Sequence, residues 1–203
     1  MSDFPPDRVL AAYRDGVRAF GHLAAKTVVW SIPTPCAGWT LLELSGHALC
    51  IARYFHRLLN AALDGHPLQQ LPRGQALAEL NAADLLALGP MLGPQRVIAF
   101  DAVAGRYGER LADVDWSITL GSWAGRGALT VGQHALLAAQ EWQIHAWDVA
   151  RSFGWDYRPD DPVAVAASRL IPANSAADGS GQRRWLDHDD PWEAALLAAG
   201  RRR

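Results

Sequence analysis

An all-α bundle is the fold the sequence predicts, on three observations. Apolar residues recur every three or four positions over four long regions, and strand signals are few. The 203 residues also suffice for a domain of roughly 150 residues with a C-terminal extension. We place the bundle at residues 1–157 and a short irregular extension, packed on it, at 158–203.

In residues 7–25, Val9, Leu10, Tyr13, Val17, Phe20 and Leu23 mark one face of an amphipathic helix. Pro33 and Pro35 break the chain after it. Thr40 followed by Glu43 has the form of a capping box. Leu41, Leu44, Ala48, Ile51, Phe55, Leu58 and Leu59 then outline a second helix, which Asp64-Gly65 and Pro67 stop. His47 falls in its first or second turn. Residues 74–88 and 95–112 are helical in pattern, but Gly89-Pro90 and Gly93-Pro94 divide them, so two helices are expected rather than one kinked helix. Ile118, Leu120 and Trp123 among glycines and polar residues predict an extended crossing segment over 116–127. The last long helix covers 128–153 and ends at Gly154. Beyond it, Pro159, Pro162, Pro172, Pro191 and the stretch 174–181 predict irregular structure with short helices near 161–170 and 191–199.

Composition excludes several classes of function. Half the residues are hydrophobic and 20% are charged, and no apolar run approaches the roughly 18 residues of a membrane span. We expect no membrane partner. A formal charge of -2 and a pI near 6.4 give no footprint for nucleic acid, the basic tail Arg201-Arg202-Arg203 being only three residues long. The N-terminal Met1-Ser2-Asp3-Phe4-Pro5-Pro6-Asp7 has neither the positive nor the apolar region of a secretory signal. Cys36 and Cys50 are too few for a disulfide framework and are not spaced as a CxxC motif. Both read as reduced thiols in a cytoplasmic protein. Lys26 is the sole lysine among 19 basic residues, a bias that points to a GC-rich bacterial genome.

Chemistry concentrates on two of the helices. Glu141 and His145 stand one turn apart in Glu141-Trp142-Gln143-Ile144-His145-Ala146-Trp147-Asp148. Such an i, i+4 pair puts two donors on one helix face, so a facing helix needs to supply only one more. His47 is the candidate for it, which makes a two-histidine, one-carboxylate set able to hold a divalent ion with positions left open. On the same face as Glu141 and His145 lie His134, Ala138 and Asp148. Ionisable groups on a core-facing surface are costly unless paired or metal-bound; a hydrogen-bonded network and a solvated face are the alternatives. The set is not an HExxH site, having no histidine four residues before His145 and no glutamate beside a first ligand, which disfavours metalloprotease activity. Zn is the first choice of metal, with Ni, Mn and Fe open.

Thr34-Pro35-Cys36-Ala37-Gly38-Trp39-Thr40, with His47 eight residues after Trp39, closely resembles the N-terminal signature of the mycothiol-dependent maleylpyruvate isomerase family of the DinB-like superfamily. Residues 141–150, ending His145-Ala146-Trp147-Asp148-Val149-Ala150, resemble its second signature, and Asp190-Pro191-Trp192 through Gly200-Arg201 resembles the terminal segment of its short members. The resemblance implies a DinB-like four-helix bundle with one divalent metal, His47, Glu141 and His145 matching the family's ligand positions. It also implies mycothiol or another small thiol at the open metal position, and the arginine bias is compatible with a host that makes mycothiol. A coordinated thiol is deprotonated and becomes a nucleophile beside the substrate. Its addition to an activated double bond, rotation and elimination is cis–trans isomerisation, and attack without elimination is thiol transfer.

Around this set, Asp148 is a candidate to orient His145. Trp39, Trp142 and Arg53 are pocket candidates, Trp39, Trp142 and Trp147 lying near the ligands in sequence, and Arg53 being placed to meet an anionic substrate. Cys36 reads as structural and His134 as a helix-start residue. No catalytic residue is singled out. The leading expectation is an enzyme, a metal-dependent thiol transferase or isomerase acting on a small molecule. A thiol-independent Lewis-acid isomerase, cyclase or lyase of secondary metabolism, and a non-catalytic metal-binding protein, are the alternatives. A homodimer is compatible with the sequence.

Overall fold

A computed structural model describes residues 4–66, 74–122, 128–160 and 190–201. Its elements are α1 (Pro6–Ala25), α2 (Leu41–Leu63), α3 (Gly74–Ala87), α4 (Gly93–Ala112), β1 (Thr119–Ser122), β2 (Ala128–Thr130), α5 (Val131–Ser152) and α6 (Pro191–Ala198). The chain is an all-α bundle with one small two-stranded sheet among the described residues. Helix α1 packs on α4 and α5, and α2 packs on α4 and α5, which closes a ring of four helices; α3 lies against α2. The α2–α5 side is the least closely packed of the four, and it is there that polar side chains face one another.

Aromatic rings fill the ring's centre. Phe100 of α4 meets Phe20 of α1 edge-on at 4.8 Å and Trp142 of α5 at 4.9 Å. The Tyr13 hydroxyl donates to the Ala104 carbonyl at 2.8 Å, which satisfies a polar group in a fully buried position. Helices α1 and α5 approach closely at Gly16, where a Cβ would stand 3.0 Å from the Trp142 Cβ and 3.2 Å from the Ala139 carbonyl. Glycine is required there for the contact rather than for its backbone freedom.

Most element boundaries follow the sequence pattern. Thr40 and Glu43 form the capping box that starts α2, and the third helical region is two helices, α3 and α4. The last long helix starts later than its pattern suggests. Ala128–Thr130 pairs as a strand with Thr119–Ser122, in antiparallel register Thr119↔Thr130 and Leu120↔Leu129. Thr130 then caps α5 by accepting from the Gln133 N–H. Three residues that fit the helical period are taken by the strand because β1 supplies them with a hydrogen-bonding edge. The expected short helix near 161–170, and residues 123–127 of the expected extended segment, lie outside the described residues. Among the described residues no helix is long and apolar enough to cross a membrane.

The C-terminal helix α6 docks on the outer face of α5, with Trp192, Ala195 and Leu196 packed on Ile144 and Trp147 at the edge of the contact. Asp190 caps it by accepting from the Trp192 and Glu193 N–H groups, and its carboxylate receives two bonds from Arg158 at 2.7 and 2.9 Å. The helix ends in a Schellman turn. Gly200 is left-handed (φ +76°), its N–H bonds to the Leu197 carbonyl, and the Arg201 N–H bonds to the Leu196 carbonyl. This reversal aims Arg201 back at α5.

Candidate metal centre

Two helices and one loop build the site. On α5, the 3.6-residue period sets Glu141, His145 and Asp148 in one row, and on α2 His47 faces them in the second turn. The His47 and His145 rings stand 5.3 Å apart, nearly perpendicular. One donor atom each of His47, Glu141 and His145 falls within 4.8 Å of the others. The His145 side chain is 5% exposed and that of Glu141 24%, so the cluster is buried at its floor and open at its lip.

The loop before α2 supplies the wall. Thr34 and Trp39 close it, the Thr34 N–H bonding the Trp39 carbonyl at 2.9 Å and the Thr34 hydroxyl donating to the same oxygen at 2.9 Å. Gly38 makes the tight turn at φ +81°. Folded in this way, the loop lays the Trp39 ring 4.6 Å from that of His47 and turns the Cys36 sulfur to 3.2 Å from an Asp148 oxygen.

His145 works between two environments. Its Nδ1 is 3.0 Å from the fully buried Asp148 carboxylate. Its buried Nε2 is 3.3 Å from Glu141 but makes no hydrogen bond. With an N–H on Nδ1 held by Asp148, Nε2 faces Glu141 and His47, and it is this nitrogen that would present a lone pair to a metal once its own proton is displaced, the arrangement that imidazole ligands of metals adopt. Arg201 completes the far side, its guanidinium bonding both Asp148 oxygens at 3.0 and 2.6 Å and the Cys36 sulfur at 2.7 Å.

Electrostatics follows from these contacts. Burial, with the neighbouring His145 adding to it, pulls His47 down to about 3. Burial favours a neutral His145 as well, but Asp148, Cys36 and Glu141 around its ring outweigh that and raise its pKa. Burial would raise Asp148, yet His145 and Arg201 hold its carboxyl at about 2.

Two groups of donors therefore meet at His145, one on each ring nitrogen: His47 with Glu141, and Cys36 with Asp148. Only the first suits a cation. The second already holds the Arg201 guanidinium between its sulfur and its carboxylate, whereas the first has a carboxylate, a ring kept neutral by burial and a buried nitrogen without a hydrogen bond. Chemically it is a three-donor set that leaves a four-coordinate ion unsaturated.

The family model described as the mycothiol maleylpyruvate isomerase N-terminal domain matches residues 4–150. The chain belongs to this family. Two solved structures share the fold of this maleylpyruvate isomerase family member. The mycothiol-dependent maleylpyruvate isomerase is similar at TM-score 0.65 and 18% identity, and a His-to-Ala mutant of such an isomerase at 0.67 and 15%. Each comparison covers 87% of this chain and 75% of the other, and at such identities the likeness is one of fold. No curated protein sequence matches the chain significantly.

The remaining sequence candidates are dispersed. Trp142 is fully buried among Phe55 and Phe100, where it packs the core of the bundle. Arg53 lines a different cavity, between α2, α3 and α4. His134 is buried near the start of α5 with its ring edge-on to Phe55. What sequence reasoning missed is the group around Asp148: Arg201 read as part of a basic tail, and Cys36 as a structural thiol. Gly200 was the available signal for Arg201, since a glycine after a helix turns the next residue back along it.

Proposed function

We propose that this protein is a divalent-metal-dependent enzyme in which His47, Glu141 and His145 hold one metal, Zn in the first instance, and that it activates a small thiol for isomerisation or transfer on a small metabolite. The observation that carries this reading is the buried, hydrogen-bond-free His145 Nε2 facing Glu141 and His47. A bound divalent ion supplies a thiolate at neutral pH by lowering the pKa of a thiol on its open position. The family name favours mycothiol as that thiol. Asp148 fixes the His145 tautomer and Arg201 neutralises Asp148, so the site keeps its geometry when the ring gives up its proton. Trp39 shields the His47 side from water, and the half-buried lip at Glu141 admits a ligand.

Elemental analysis of the purified protein tests the metal, with about one ion expected per chain for a single three-donor site and stoichiometric metal lost in His145→Ala. Full occupancy in that variant would refute the ligand set. X-ray absorption on the metal-loaded protein, with and without mycothiol, tests the thiol. A new sulfur neighbour is expected; its absence, with activity indifferent to thiol, would leave direct Lewis-acid chemistry on the substrate.

A further inference from the structure

A second cavity lies outside the metal centre. About 540 Å³ in volume, it is set between α2, α3 and α4 and shares no lining residue with the His47, Glu141 and His145 cluster. Its volume is that of a site for a small organic molecule. Arg53 and Arg57 come to it from one face of α2, and Arg106 from α4, with His56 also in the lining; among the described residues Asp84 of α3 is the only carboxylate there. Leu88, Ala99 and Val103 give the wall an apolar stretch.

Three observations turn this cavity into a site. Like charges at i, i+4 destabilise a helix, and Arg53 and Arg57 are such a pair, so the fold gains nothing from them where they stand. None of Arg53, Arg57 and Arg106 makes a hydrogen bond or ion pair among the described residues, whereas Arg96, Arg158 and Arg201 each do. The whole chain carries a formal charge of -2, so gathering three guanidinium groups against one carboxylate runs against its overall balance. Arg106 and Arg110 also add to burial in lowering the pKa of His56, which places that ring in a positive field.

We propose that this cavity binds a small organic dianion, its two negative charges received by Arg53, Arg57 and Arg106 and its carbon body resting on Leu88, Ala99 and Val103. Guanidinium groups take carboxylate and phosphate oxygens in paired hydrogen bonds, so a dicarboxylate and a phosphate monoester share the required chemistry.

Calorimetric titration of the full-length protein with phthalate, phenyl phosphate and the uncharged dimethyl phthalate tests the site, in metal-loaded and chelator-treated samples alike. Saturable binding of at least one dianion is expected, weakened by salt, and the tighter of the two identifies the anionic group. Arg57→Glu and Arg106→Glu should each weaken it by about tenfold or more, the scale of a charged hydrogen bond. Both positions are exposed, and circular dichroism confirms the fold of each variant. Arg53→Glu, on the same rim, gives an independent reading. Absence of saturable binding by either dianion, equal binding of dimethyl phthalate, or affinity unchanged in all three variants would overturn the proposal. Binding that survives chelation supports this site whatever becomes of the metal assignment.

Discussion

His145 serves two neighbours at once, and Asp148 decides how. Buried carboxylates cost several kcal/mol unless paired, and Asp148 is paired with Arg201 on one side and with the His145 ring on the other. Replacing it by asparagine keeps the shape and one acceptor oxygen but removes the charge that holds a proton on Nδ1. Metal affinity in Asp148→Asn should fall by about 10- to 100-fold, as for other residues that orient a ligand, measured by competition with a chromophoric chelator. Unchanged affinity would mean that Asp148 does not act through His145. At this scale the sequence was informative about donors on one helix, since Glu141, His145 and Asp148 follow from helical spacing alone. It was uninformative about Cys36 and Arg201, which meet Asp148 across 112 and 53 positions of chain; local periodicity carries no record of such contacts.

Helix packing sets how firmly the two halves of the site are held. Because a Cβ on Gly16 of α1 would stand 3.0 Å from the Trp142 Cβ of α5, Gly16→Ala should push these helices apart. The expected loss is about 1–3 kcal/mol, typical of an overpacked core, read from urea denaturation. No loss would show that the bundle relaxes freely there. At α6, the Arg158 pair and the cap bonds to Trp192 and Glu193 hold the Asp190 carboxyl at about 2. A depressed carboxylate stabilises the folded state above its ordinary value of roughly 3.9, and that contribution fades as pH falls through about 2. Amides of α6 should therefore exchange faster as pH drops through this window, relative to those of α5, and Asp190→Ala should already show the faster rate at neutral pH. Equal relative protection at both ends of the window would contradict this. The cap of α2 was legible in Thr40 and Glu43. The strand Ala128–Thr130 was not, because pairing with β1 overrides a helical period that those residues also fit.

Across the whole molecule, the segment beyond the family match completes the site. Residues 4–150 carry the match, yet Arg201 arrives from outside it, delivered by the docking of Trp192 and Leu196 and by the turn at Gly200. Arg201→Met should leave Asp148 charged and buried without its cation, at a cost of about 3–5 kcal/mol, visible in urea denaturation together with weakened metal binding. A loss below about 1 kcal/mol would reduce this contact to the level of a surface ion pair. The bundle itself was predictable from four apolar periodicities. Its openness at α2–α5 was not, being a property of how four helices close.

The proposed ion belongs between α2 and α5. Anomalous diffraction at the metal absorption edge, from crystals of the metal-loaded protein, locates it directly. One peak is expected, roughly 2 Å from a nitrogen of His47, an oxygen of Glu141 and Nε2 of His145. No peak there, or a peak bound instead by Cys36, Asp148 and Nδ1 of His145 with Arg201 displaced, would contradict it.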